Sequence, residues 1–340
     1  MGPCENIGEI VMQKSFLNKV VGVAALALVV STAPWAAASP SETGAIASDL
    51  NAVSNPGFDA KGAALQKVIM KLNGQAPQGV PSIFGKPTKG SNNGISYHGG
   101  PVMTSGIKIN IVWYGNWSNT KKSIITNLIG DLNASPHFNI NTTYKNASNS
   151  PVQNSLTLGQ QYPDNYSLGN GGSTGLTDAN IWTIVNTAAG TPNGSAIKDT
   201  NAITLVLTSS DVKKNGFLTS YCGWHMNASL AGVSVKYSFV GDPGTSSSCA
   251  GQTAASPNGD IGVDAMASVI AHEIEEAATD PELNAWYDTR GYENADKCAW
   301  NFGTTSTLNN FKYNMTMNGR KYYIQQNWVN AAGGYCALTY

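Results

Sequence analysis

Gly262-Val263-Asp264-Ala265-Met266-Ala267-Ser268-Val269-Ile270-Ala271-His272-Glu273-Ile274-Glu275-Glu276-Ala277-Ala278-Thr279, followed by Asp280-Pro281, is the stretch on which the reading of this chain turns. Val263, Met266, Ile270, Ile274 and Ala277 recur in steps of three and four residues, which predicts an amphipathic helix with one apolar stripe. Asp260 is placed to cap its start, and Asp280-Pro281 to end it. At about 100° per residue, His272 and Glu276 lie roughly 40° apart, and His272 and Asp280 roughly 80° apart, all away from that stripe.

The polar face reads H-E-x-x-E at His272, Glu273 and Glu276, one residue away from the zinc-peptidase H-E-x-x-H. One helical turn sets two ligands side by side, and a carboxylate beside the first can polarise water at the metal. His272 is one of only four histidines, so its place in this cluster is informative. A third ligand must come from elsewhere. Glu293-Asn294-Ala295-Asp296 follows at roughly the spacing of thermolysin-like enzymes, which also use His and Glu ligands. Glu293 and Asp296 both qualify, with Glu293 slightly preferred.

His225, in Cys222-Gly223-Trp224-His225, is a candidate fourth group, either a ligand or an oxyanion stabiliser. The expected set is therefore Glu273 and His225 as catalytic groups and His272, Glu276, Glu293 and Asp296 as metal ligands. Zn2+ is the expected cofactor, with manganese or calcium conceivable for so carboxylate-rich a set. The plainer alternative is a solvated helix face on which His272 and Glu276 form an i,i+4 pair. His98 and His137 are expected in loops, with structural roles or none.

Charged residues make up 12% of the 340, about half the usual share, and the net charge is -1. That gives no electrostatic case for nucleic acid or an anionic membrane surface. Lys14 and Lys19 precede an apolar run from Val20 to Val30, and Ala36-Ala37-Ala38 offers a small-residue cleavage site. Residues 1–38 thus read as a secretory signal peptide, with Met12 an alternative start; the run is too short to span a membrane. A secreted protein, monomeric, is the expectation, with an extracellular peptide or protein or a cell-wall component as partner. Past the leader, Cys222, Cys249, Cys298 and Cys336 remain, an even number suited to disulfides. Three pairings are possible, and sequence proximity favours Cys222–Cys249 and Cys298–Cys336.

Residues 39–95 read as an N-terminal arm or pro-region and a linker, with weak helical patterning at 63–70 and a Pro- and Gly-rich stretch from 75. The main domain, 96–340, is expected to be α+β (mixed α/β) with a mixed sheet and a zincin-like active-site helix. Strands are predicted at 107–114, 202–208, 235–240 and 321–328, and helices at 120–132, 178–187 and 262–279. Residues 135–180 read as short strands and loops.

Several blocks, taken in order, resemble the Exordium (phosphate-induced protein) family. They are Tyr97-His98-Gly99-Gly100-Pro101, Ile109 to Gly115, Val206 to Val212, Cys222-Gly223-Trp224-His225, Ser256 to Glu273, and Asn284-Ala285-Trp286-Tyr287. The resemblance spans about residues 96–340. It implies a secreted protein of the apoplast or wall associated with growth, and it supplies no biochemical activity. The family pattern includes positions like His272-Glu273-x-x-Glu276 and Glu293-x-Ala295-Asp296-x-Cys298. This chain departs from the plant pattern in Asp280, where Asn is usual, and in having fewer cysteines. Its Ala-rich leader suits a microbial exporter.

Two functions follow as expectations. One is a zincin-like metal hydrolase, a peptidase, with Glu273 as general base. The other is a non-catalytic extracellular or cell-wall protein whose cluster is a structural or vestigial metal site.

Overall fold

Two largely apolar strands, β3 (Ile107–Tyr114) and β5 (Ala202–Thr208), lie side by side in parallel at the middle of the molecule. Every residue of both except Lys108 is buried, as expected of parallel strands covered on both faces. The computed structural model describes residues 68–70 and 94–340, all within one compact unit running from Ile46 to Tyr340. The predicted leader, and all of the arm and linker before residue 94 except Val68–Met70, lie outside the described residues.

Six strands form the main sheet in the order β1-β6-β7-β5-β3-β4. The outer members are β1 (Val68–Met70), β4 (Leu156–Asp164), β6 (Gly223–Leu230) and β7 (Val233–Gly241). The run β4-β3-β5-β7 is parallel, whereas β6 and β1 are antiparallel additions. Parallel neighbours need crossovers. The helices α1 (Asn119–Leu132), between β3 and β4, and α2 (Asp178–Ala189), between β4 and β5, supply two of them. Strands β6 and β7 need only a two-residue turn, and Ala231 and Gly232 both take the positive φ that a tight hairpin demands. This is a mixed α/β fold with a mixed sheet.

The helix α3 (Ile261–Thr279) starts where Asp260 accepts from the Val263 N–H at 3.0 Å, and it packs against β6, β7 and α1. Its end is tied by Asp280, whose Oδ1 accepts the N–H groups of both Asn284 and Ala285 at 2.6 Å. The surprise is its polar face. Every residue from Met266 to Thr279 is buried, so the solvated-face alternative is overturned.

The cause lies downstream. Residues 281–340 carry only short strands: β8 (Trp286–Tyr287), which pairs with β2 (Ser96–Tyr97), and three small hairpins. These are β9 (Ser306–Leu308) with β10 (Phe311–Tyr313), β11 (Met315–Met317) with β12 (Arg320–Tyr322), and β13 (Asn327–Val329) with β14 (Tyr335–Ala337). This segment folds back over α3: the Gln325 N–H donates to Ser268 Oγ, Asn294 Nδ2 to the Glu275 carbonyl, and the Asp296 N–H to Glu276 Oε1.

Other sequence expectations met mixed outcomes. Disulfides join Cys222 to Cys249 and Cys298 to Cys336, the pairing that proximity favoured. The helical patterning at 63–70 fails at Val68–Met70, which form a strand instead. There the open edge of β6 offers unpaired backbone groups that an extended segment can satisfy. The single strand expected at 321–328 is split between β12 and β13. The long strand β4 falls in the polar stretch read as short strands and loops; it sits at the sheet edge, where polar residues are tolerated.

Candidate metal centre

All six residues singled out from the sequence come together between α3, β6 and the segment after α3. His272, Glu273 and Glu276 project from α3, and His225 projects from β6. Glu293 lies just before the short 3-10 turn Asp296–Cys298, and Asp296 begins that turn. His225, His272, Glu273 and Glu276 are fully buried, and Asp296 is the most open of the six with 11% side-chain exposure.

The contacts divide into two groups. His225 Nδ1 lies 3.4 Å from Glu273 Oε2 and 3.4 Å from Glu276 Oε2, while its Nε2 is 3.6 Å from Glu293 Oε2. His272 Nε2 lies 3.0 Å from Glu276 Oε1 and 3.7 Å from Asp296 Oδ1. Between the two candidate third ligands, then, Asp296 neighbours His272, and Glu293 neighbours the far nitrogen of His225.

These groups approach one another without bonding. Both nitrogens of His225, His272 Nε2, both oxygens of Glu273 and of Glu293, and Glu276 Oε2 are buried with no hydrogen-bond partner. Several sit within bonding distance of each other but fail the angular requirement. A buried polar group left unsatisfied costs about 1–3 kcal/mol, and more if charged. Lone pairs that converge without meeting suit a cation between them. Two triads have ligand atoms mutually within 4.8 Å: His225, Glu273 and Glu276, and His272, Glu276 and Asp296.

Electrostatics show how tightly these groups are linked. Burial opposes charge on His225, but Glu273 and Glu276 outweigh it and hold the imidazole up to about 10. Burial likewise opposes charge on His272, which Glu276 above all lifts to about 9. Burial pushes Glu273 up, and it drives Glu293 and Asp296 well above the carboxylate range, helped by the like charge of Glu276. Glu276 alone is pulled down, because the two imidazoles overcome its burial. Crowded buried carboxylates must be neutralised by protons or by a cation.

Sequence reading missed the groups that support this cluster. The Gln325 amide lies 2.5 Å from His272 Nδ1 and fixes the ring. The atom facing the ring is the amide nitrogen, which donates to Nδ1; a metal on Nε2 calls for an acceptor of the Nδ1–H, which Gln325 supplies once its amide is turned over. Nothing around Gln325-Gln326 signals that role. His137, expected in a loop with a structural role or none, lies in a turn and is buried; its Nε2 lies 3.1 Å from Glu275 Oε1, and its Nδ1 lies 2.7 Å from the Leu338 carbonyl. His98 is exposed and stacks on Tyr287 with ring centres 3.7 Å apart.

Gly223 on β6 faces α3 closely. A Cβ there would lie 2.6 Å from Val269 Cγ1 and 2.8 Å from Glu273 Oε1. Gly223→Ala is therefore expected to cost about 1–3 kcal/mol through overpacking. Thermal unfolding should show a lower melting temperature; an unchanged one would mean that helix and strand can separate freely.

A mixed sheet, a buried helix and a closed histidine–carboxylate cluster define a mixed α/β protein with a candidate metal-binding core. The chain belongs to the phosphate-induced protein 1 family, whose conserved region matches residues 95–337. Among its relatives, Protein EXORDIUM-like 3 of Arabidopsis thaliana is 31% identical over 74% of this chain and 85% of its own length. Protein EXORDIUM-like 5 of the same plant is 32% identical over 67% of this chain and 70% of its own. Protein PHOSPHATE-INDUCED 1 of Nicotiana tabacum is 28% identical over 58% and 68%. No solved structure matches the chain.

Proposed function

We propose that this is a non-catalytic extracellular protein of the cell surface or wall, whose core is fastened by a structural divalent-metal site. Complete burial of His272, Glu273 and Glu276 is the observation that carries this reading. A catalytic metal keeps a position open to substrate, whereas this cluster is roofed by Gln325 and the Glu293–Asp296 segment. The cavity lined by Cys249, Asp264, Ser268, Trp300 and Tyr323 borders no residue of the cluster. Export is supported by the leader-like residues 1–38 and by the two disulfides. Among the described residues no helix is long and apolar enough to cross a membrane. The partner in this reading is a wall component or an extracellular protein, and the contribution is to growth or surface interactions.

The hydrolase reading draws on one specific observation. Glu273 is unpartnered beside His225, as a general base with a nearby stabilising group would be. Zn2+ would then be held by His272, Glu276 and Asp296 or Glu293, and peptides would be the substrates.

The test is metal content of the purified, exported protein, wild type against His272→Ala. Near-stoichiometric metal, zinc being the expected ion, should fall sharply in the variant, with no peptide hydrolysis in either protein. Hydrolysis lost in Glu273→Gln with metal retained would establish the enzyme instead. A metal-free, equally stable pair of proteins would rule out both metal readings.

A further inference from the structure

The chief oddity of the cluster is that it has two centres. Each triad contains a different histidine, and no triad contains both. Glu276 alone belongs to the two, and it does so with different oxygens: Oε2 faces His225 at 3.4 Å, and Oε1 faces His272 at 3.0 Å.

We propose that the core holds two divalent cations bridged by the Glu276 carboxylate, one on His225 Nδ1 and Glu273, the other on His272 Nε2 and Asp296. The proposal rests on the metal-site reading above and extends it from one ion to a pair. A carboxylate that offers one oxygen to each ion suits the separation of about 3.5–4 Å common in two-metal sites.

Three observations favour two ions over one. First, an ion at His272 alone would leave both His225 nitrogens and both Glu273 oxygens buried and unpartnered. Those groups lie on the β6 side of the cluster and need an occupant of their own. Second, each histidine has a polar neighbour at its other nitrogen: Gln325 Nε2 at 2.5 Å for His272 and, beyond hydrogen-bond length, Glu293 Oε2 at 3.6 Å for His225. A carboxylate or amide behind a ligating imidazole is the usual support for a metal-bound histidine. Glu293 thus stands behind His225, while Asp296 is the carboxylate beside His272. Third, five largely buried carboxylates gather here, Glu273, Glu276, Glu293, Asp296 and, beside Glu293, Asp280. With neutral imidazoles two divalent cations offset four of those charges, whereas a single ion offsets two.

The test uses the full exported chain, stripped of metal and titrated with zinc chloride alone, with bound zinc measured by mass spectrometry after desalting. The wild type should bind two equivalents. Glu273→Gln and Asp296→Asn should each bind one, by losing opposite halves, and Glu276→Gln should bind neither tightly. One equivalent in wild type, unchanged by Glu273→Gln, would overturn the pair and leave the single-site reading standing. No zinc on folded wild-type protein would overturn both. Because the variants could fail to fold, a second measurement needs only wild type. Loading with manganese chloride should give an exchange-coupled paramagnetic resonance spectrum, and an isolated-ion six-line spectrum from the fully loaded protein would refute the bridge.

Discussion

Exhaustive chelation of the protein should lower its melting temperature by roughly 8–16 °C, and added zinc should restore it. A ligand that binds only the folded state stabilises by about 4 kcal/mol when present at a thousandfold its dissociation constant. For a domain of this size each kcal/mol shifts the midpoint by about 2–4 °C. The effect has a structural source besides mass action. Without a cation, Glu273, Glu293 and Asp296 must take up protons or repel Glu276 in a buried site. Calorimetry before and after chelation, with metal content confirmed at each stage, checks this. An unmoved midpoint in demonstrably metal-free protein would mean that protons alone hold the centre together.

The second large effect concerns the staples around the centre. Replacing Cys298 and Cys336 by Ser opens a loop closed over 38 residues, which loop-closure entropy values at about 4 kcal/mol. The Cys222–Cys249 loop spans 27 residues, giving about 3.5 kcal/mol. Each bond also sits beside a ligand. Cys298 closes the short turn that presents Asp296, and Cys222 lies three residues before His225. Either double substitution should therefore weaken zinc binding as well as stability, whereas a purely global effect would leave the affinity of the folded fraction at the wild-type value. Denaturant titration and competition against a coloured chelator separate the two quantities.

The site was legible where its residues share one helix. His272, Glu273 and Glu276 are fixed relative to one another by helical geometry, so local spacing sufficed. Strands β3 and β5 were legible because burial on both faces leaves a nearly continuous apolar run. Strand β4 was not, since an edge strand with one exposed side carries Gln160, Gln161 and Asp164 without penalty. The burial of α3's polar face was equally invisible. It depends on residues 281–340, whose short hairpins have no strong period of their own. Neither the division of labour between Asp296 and Glu293 nor the part of Gln325 could be read from spacing, because each depends on how that cover settles over the helix.

Closure also governs how fast the centre could be filled or emptied. With its histidines and three of its carboxylates sealed from solvent, an ion would pass in or out only through local opening of the cover. Exchange requires the Asp280–Cys298 segment to lift away, and the Cys298–Cys336 bond resists that opening. Any ion held there would therefore exchange on the timescale of that opening, minutes to hours rather than the near-instant exchange of an exposed site.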